Sequence, residues 1–222
     1  MTQKAVDLIK ELEFFQTLAP SSKEKLLGHI SLITFDLGQE IAASGVISGR
    51  ILILLQGQVR LIGDDQERLH SFGKFKVGSV LGAASLLCGV GLDNLIASSS
   101  VLTASISDKH WAEFYANDES FRSWCDNQLW PSEIIHVCKS IQQQSAKSGT
   151  GSIQLTELAL QKAQRVNVNT ESIQSAITDN RQIFFASAWG GNTPGAELDN
   201  NLVPPESLPF AVRLISLPST LV

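Results

Sequence analysis

The residue types able to bind an anion cluster in one short stretch, Val80–Ala97, which reads VLGAASLLCGVGLDNLIA. Gly82 ends a strand-like pair, and Ala83, Ala84 and Ser85 open a short apolar run. Such a turn presents backbone N–H groups at a helix start, where partial positive charge favours an anion. Gly91, Leu92 and Asp93 follow in a glycine-rich loop. Gly82, Ala83, Ala84, Ser85, Gly91, Leu92 and Asp93 are therefore the candidate ligand-binding residues. The stretch holds no Arg, Lys, His or Glu. Asp93, its single charge, would repel a phosphate.

Other chemistries are poorly served. His110, Cys125, His136 and Cys138 include two metal-ligand types, but His136 and Cys138 are two residues apart and fall on different helix faces. Cys138 shares an apolar stripe with Ile134 and Ile141, which is either core or a homodimer seam. No Gly-x-Ser-x-Gly is present, and KSGTGS lacks the Gly-Lys-Ser/Thr ending of a phosphate loop. No catalytic residue, metal site or cofactor is expected, and the chain reads as a non-enzyme.

Three zones position these residues. From the N-terminus to about Gln144, helical periodicity comes first (Val6, Leu8, Ile9, Leu12, then Phe14, Phe15 and Leu18). A second helix start follows at PSSKEKLLGHI, with Ser21 and Glu24 spaced as a capping box. From Ser31 short β-like runs alternate with glycines, as in a sandwich or barrel. After Ile106 the pattern is helical again, with Ser107 as N-cap and Pro131 as a first helical residue. Residues 145–152, within the polar stretch QQQSAKSGTGS, read as a linker. Residues 153–222 form a small α+β region: IQLTELALQKAQRV and TESIQSAI as helices, RQIFFASAW and FAVRLISL as strands.

Composition narrows the function. Of 222 residues, 43% are hydrophobic and 18% charged, enough apolar material for a packed core. The net charge of −5, without a basic block, counts against nucleic acid as a partner. No apolar run reaches the roughly 20 residues of a membrane span. The N-terminus has no signal-peptide core. Cys88, Cys125 and Cys138, in apolar contexts, read as reduced cytoplasmic thiols.

The first zone, over roughly residues 5–140, resembles the cyclic nucleotide-binding domain family. The likeness rests on FDLGQEIAASGVISGRILILLQGQVRLI followed by VGSVLGAASLL, with Gly38, Gly57–Val59, Gly78 and Gly82 in the family's places. It implies an α+β, mainly β fold: a β-barrel of jelly-roll type with flanking helices, here followed by the small C-terminal α+β appendage. In the family a Glu follows the second glycine and holds the ribose, and an Arg some nine residues later pairs with the cyclic phosphate. Here Ala83 takes the first place and Gly91, Leu92 or Asp93 the second. A desolvated Arg–phosphate pair contributes about 2–5 kcal/mol by truncation, so the fold is expected to be kept and the usual ligand lost. Arg50, Arg60 and Arg68 are the cations that could reach in from the barrel.

Two alternatives follow from the same resemblance: a working cyclic nucleotide sensor, and a transcription regulator with a C-terminal helix-turn-helix. Against the latter, TESIQSAITDN carries Glu171 and Asp179, and residues 153–222 hold four basic residues against six acidic ones. The pattern FFASA…PGAELD…FAVRLISLP also resembles the N-terminal cytoplasmic region of bacterial peptidase-containing ABC exporters of the bacteriocin type, including cyanobacterial heterocyst-linked ones. That likeness implies a regulatory or docking module whose partner is the rest of an exporter chain or another protein.

Overall fold

The computed structural model describes residues 3–65, 68–144, 151–198 and 208–222. Three helices lead in: α1 (Gln3–Lys10), α2 (Glu13–Thr17) and α3 (Pro20–His29). Eight strands follow: β1 (Ser31–Phe35), β2 (Glu40–Ala42), β3 (Arg50–Gln56), β4 (Val59–Asp65), β5 (Arg68–Phe75), β6 (Val80–Leu81), β7 (Leu95–Ala97) and β8 (Val101–Ser107). The short helix α4 (Ala83–Cys88) sits between β6 and β7. The strands form two antiparallel sheets, ordered β1-β8-β3-β6 and β2-β7-β4-β5. Their ladders do not join into a closed ring among the described residues.

The run ILILL in β3 is buried on both faces, which is why it does not alternate with polar residues. Ile51 and Ile53 pack with Ile9, Phe14, Leu26, Trp111 and Phe121 under the helices. Leu52 and Leu54 point the other way, into the space shared with Val59, Leu61, Leu95 and Val101. Burying each such side chain stabilises the fold by about 1.5–3 kcal/mol. One central strand thus holds the helical layer to one side and the second sheet to the other.

Helices α5 (Asp108–Asn117), α6 (Glu119–Asn127) and α7 (Pro131–Gln144) follow the sheets. Ser107 caps α5 as expected, its Oγ accepting from the His110 amide at 3.2 Å. Pro131 opens α7, also as expected. The capping box at Ser21 does not form: α3 starts at Pro20, placing Ser21 inside the helix. The amide of Ala19, before that helix, instead donates to Asp118 Oδ2 at 2.8 Å. Asp118 also caps α6 by accepting from the Phe121 amide at 3.0 Å. A single carboxylate therefore joins two helix starts that lie 99 residues apart.

The C-terminal region comprises α8 (Gly151–Lys162), β9 (Gln164–Val166), α9 (Thr170–Thr178), β10 (Arg181–Phe185) and β11 (Leu214–Pro218), with strand order β10-β11-β9. The sequence places Gln164–Val166 at the end of a helix; the structure makes it a strand paired with β11. That strand separates α8 from α9, so the region is not a helix-turn-helix. Of the linker expected at 145–152, residues 145–150 lie outside the described residues, and Gly151 and Ser152 belong to α8. The third sheet alternates its faces. Phe184, Ile215 and Leu217 pack with Ile134, Cys138 and Ala159, while Ile183, Phe185 and Leu214 pack with Val166 and Ala176. The stripe Ile134, Cys138, Ile141 is therefore covered by the chain's own α8 and third sheet rather than left open as a dimer seam.

Candidate functional site

β6 ends at Leu81, and Gly82, whose φ is +84°, turns the chain into α4. An L side chain is strained at that angle. A Cβ there would also stand 3.2 Å from the Arg50 carbonyl. Ala83 and Ala84 are fully buried, each in a different core cluster. A larger or charged residue at 83 would have to enter the core beneath α1–α3. After α4 the loop passes so close to the β2–β3 connection that a Cβ on Gly91 would lie 2.1 Å from the Val46 nitrogen. The Gly45 amide donates to the Gly91 carbonyl at 2.9 Å.

That close approach returns Asp93 to the start of α4. The Ser85 hydroxyl donates to Asp93 Oδ2 at 2.6 Å, and the Ser85 amide reaches the same oxygen at 3.3 Å. The Ser85 oxygen accepts from the Leu92 and Asp93 amides at 2.9 and 3.0 Å. From α7, the Ser132 hydroxyl donates to Asp93 Oδ1 at 2.6 Å. Ser85, Asp93 and Ser132 are all buried. Burial pushes the Asp93 carboxyl above its ordinary range, and the bonds from Ser132 and Ser85 limit the rise. The chain's own carboxylate therefore takes the Ser85 amide and hydroxyl, two of the donors at the start of α4.

All seven candidate residues come together in this turn and loop. None of the three basic side chains considered from sequence has a described contact with the network: Arg50 and Arg60 are exposed, and the Arg68 side chain lies outside the description. The adjoining cavity, between the second sheet and α7, is about 190 Å³ and includes Gly63, Phe72, Leu92, Asn94 and Lys139 in its lining. This is below the roughly 300 Å³ at which small-molecule pockets begin.

The other end of α4 is fixed by the C-terminal region. Trp189 Nε1 donates to the Leu87 carbonyl at 2.6 Å, and the Ala188 amide to the Cys88 carbonyl at 2.8 Å. Beneath it lies a second buried network that the sequence reading did not identify. Arg213 of the third region forms an ion pair with Glu133 of α7, and their side chains are 1% and 0% exposed. Arg213 also donates to the carbonyls of Cys125 (3.1 Å) and Gln128 (2.6 Å), at the C-terminal end of α6. A cation is favoured at such an end. Burial lowers the Arg213 pKa, but Glu133 more than offsets this and the net shift is upward, so the guanidinium stays charged. The Cys88 thiol donates to Glu133 at 3.3 Å, and burial and that carboxylate together push it well up. It is an inert thiol rather than a nucleophile. The available sequence signals were an acid in the first turn after Pro131 and one Arg within an apolar strand.

The remaining singled-out residues disperse. His110 stacks on His29, with ring centroids 3.7 Å apart. Cys125 and Cys138 are free and buried in different clusters. Among the described residues no group of three metal-ligating side chains occurs, and no helix is long and apolar enough to cross a membrane.

No protein-family model matches the chain, and no curated protein sequence matches it. Among solved structures, it is similar to the regulatory subunit of a cAMP-independent protein kinase A from Trypanosoma brucei. That match has 21% identity and a TM-score of 0.49 and covers 55% of this chain and 46% of that one. A second is the sensor domain of the transcriptional regulator DNR from Pseudomonas aeruginosa, at 16% identity and TM-score 0.46, covering 53% and 85%. A third is a cyclic nucleotide-binding-like protein from Brucella abortus, at 16% identity and TM-score 0.44, covering 52% and 100%. The chain spans about half the length of the kinase subunit. The fold class is α+β as expected from sequence, with more helix than strand among the described residues and no closed barrel. It comprises two antiparallel four-stranded sheets, with helices before and after them and an α+β appendage.

Proposed function

We propose that the chain is a non-catalytic regulatory or docking module whose ligand segment is filled from within. The observation that carries this reading is Asp93. Its carboxylate accepts from Ser85 and Ser132, and among the described residues no arginine or lysine side chain bonds to it. An incoming phosphate would meet a buried carboxylate and would have to displace it. The small adjoining cavity supports the same reading.

In this reading residues 1–144 are the sensing or docking unit and residues 153–222 a cap that fixes α4 and α7 through Trp189 and Arg213. Asp93, Ser132 and Glu133 then couple the β6–α4 turn to α7, so the module acts by position. The setting that the second sequence resemblance implies is the N-terminal cytoplasmic region of a bacterial ABC exporter. Co-purification with a peptidase and ATPase region of the same cell tests that setting.

Calorimetric titration with cyclic AMP, cyclic GMP and cyclic dinucleotides tests the module itself. No saturable heat is expected. Saturable one-site binding that Gly82 or Ser85 substitutions abolish would replace this reading with that of a working sensor.

A further inference from the structure

Strand β5 ends the second sheet and, among the described residues, is bonded on one side only, to β4. Its register sets Lys74 directly opposite Arg60. Both side chains are exposed, and so is that of Lys76, one residue past the end of β5. Cross-strand like charges destabilise a sheet. Yet among the described residues the side chains of Arg60, Lys74 and Lys76 enter no ion pair or hydrogen bond; the Lys76 amide donates to Ser79 Oγ at 3.3 Å. The row continues from Arg60 across Ile96 to Glu40, two strands away and so about 10 Å distant. In a chain of net charge −5 this is a local excess of cations. A Cβ added to Gly73, between Ser71 and Lys74, would meet nothing within 4 Å.

A lysine on an edge strand commonly serves to prevent edge-to-edge pairing. That accounts for Lys74. It does not account for Arg60, which lies on an inner strand and adds repulsion there.

We propose that the Ser71–Phe75 edge of β5 takes an extended acidic segment of a partner protein as a fifth strand of the second sheet. Carboxylates at alternate positions of that segment would share the face of Lys74, because side chains on one face of a strand recur every second residue, with Lys76 one residue past the strand's end. The third cation, Arg60, adds to the field on that face. This rests on the docking reading above and gives it a partner class. Its failure leaves that reading standing, because the nucleotide titrations test Asp93 and not β5.

The test uses the full chain and two labelled peptides of equal composition, one alternating Glu with Thr and one with its Glu residues in a block. Fluorescence anisotropy at low salt is expected to show saturable binding of the alternating peptide. The block peptide, and the alternating peptide with the Lys74→Glu/Lys76→Glu variant, should bind about tenfold more weakly. Hydrogen exchange should show protection of amides within residues 71–75 on binding. Circular dichroism confirms that the surface variant is folded. Absence of binding, or equal affinity for both peptides, overturns the proposal. So does tighter charge-dependent binding to phosphatidylserine vesicles or to a DNA duplex.

Discussion

The hydroxyl of Ser132 donates to the carboxylate of Asp93 at 2.6 Å, across 39 residues of sequence. It ties the loop after α4 to the first turn of α7. Both groups are buried, so the bond is not exchanged for water without opening the fold.

Replacing Asp93 with Ala is expected to leave the Ser85 amide and the Ser85 and Ser132 hydroxyls without their shared acceptor. An unsatisfied buried polar group costs about 1–3 kcal/mol. Urea unfolding measures the loss. Native-state hydrogen exchange should find faster opening at the Ser85, Leu92 and Asp93 amides, while those of β3 keep their protection relative to global unfolding.

Asp93 also gives stability a pH dependence of definite sign. Burial raises its carboxyl above the ordinary value of 3.8, so the folded chain holds this proton to a higher pH than the unfolded chain. The corresponding contribution is fully present below 3.8 and is lost as pH rises through the folded value. Asp93→Asn has no such titration. The stability of the wild type relative to Asp93→Asn should therefore fall as pH is raised from about 4 to about 7; a flat difference in urea midpoints would contradict the assignment.

Asp118 acts in the opposite direction. Burial raises its carboxyl, but the amides of Ala19 and Phe121 more than offset this, and the net shift is below 3.8. Its contribution is present above 3.8 and is lost as pH falls through the lower folded value. Asp118→Ala should cost about 1 kcal/mol at neutral pH as a lost N-cap. It should also flatten the acid limb of the stability curve.

The ion pair of Arg213 and Glu133 predicts asymmetric mutants. Arg213→Met leaves a buried carboxylate alone and should cost about 3–5 kcal/mol, as breaking buried pairs does. The double variant Arg213→Met/Glu133→Leu removes both charges and should recover most of that loss. Equal costs for the single and double variants would mean that the pair does not act as a unit.

Gly91 and Gly73 form a matched test of backbone approach. A methyl at Gly91 meets the Val46 nitrogen, whereas one at Gly73 meets open space. Gly91→Ala is expected to cost about 1–3 kcal/mol through overpacking. Gly73→Ala should be close to neutral. Thermal unfolding of the two single variants compares them directly.

Much of the fold was legible in the sequence because it depends on local periodicity and caps. The strand run from Ser31, the Ser107 cap, the Pro131 start and α9 are all set by neighbouring residues. The failures were tertiary. Ser21 lost its capping role because Pro20 starts α3 one residue earlier and Asp118 arrives from far away to take the Ala19 amide. Residues Gln164–Val166 became a strand because β11 supplied a ladder partner. The turn into α4 was legible as geometry, through Gly82 and the small residues after it. Asp93 was read as a charge that would repel a phosphate; its role as the acceptor in that place required the backbone approach at Gly91.

The motif Val-Arg-Leu-Ile occurs twice, at residues 59–62 and 212–215. By itself the sequence determined that each copy forms or adjoins a β-strand, since alternating apolar residues fix the local period. It did not determine what each arginine does. Arg60 is exposed beside Lys74, whereas Arg213 is buried against Glu133 and the carbonyl groups at the end of α6. The difference lies in what surrounds each strand. Only chain packing over long sequence separations brings together the carboxylate and carbonyl oxygens that replace water around a buried charge.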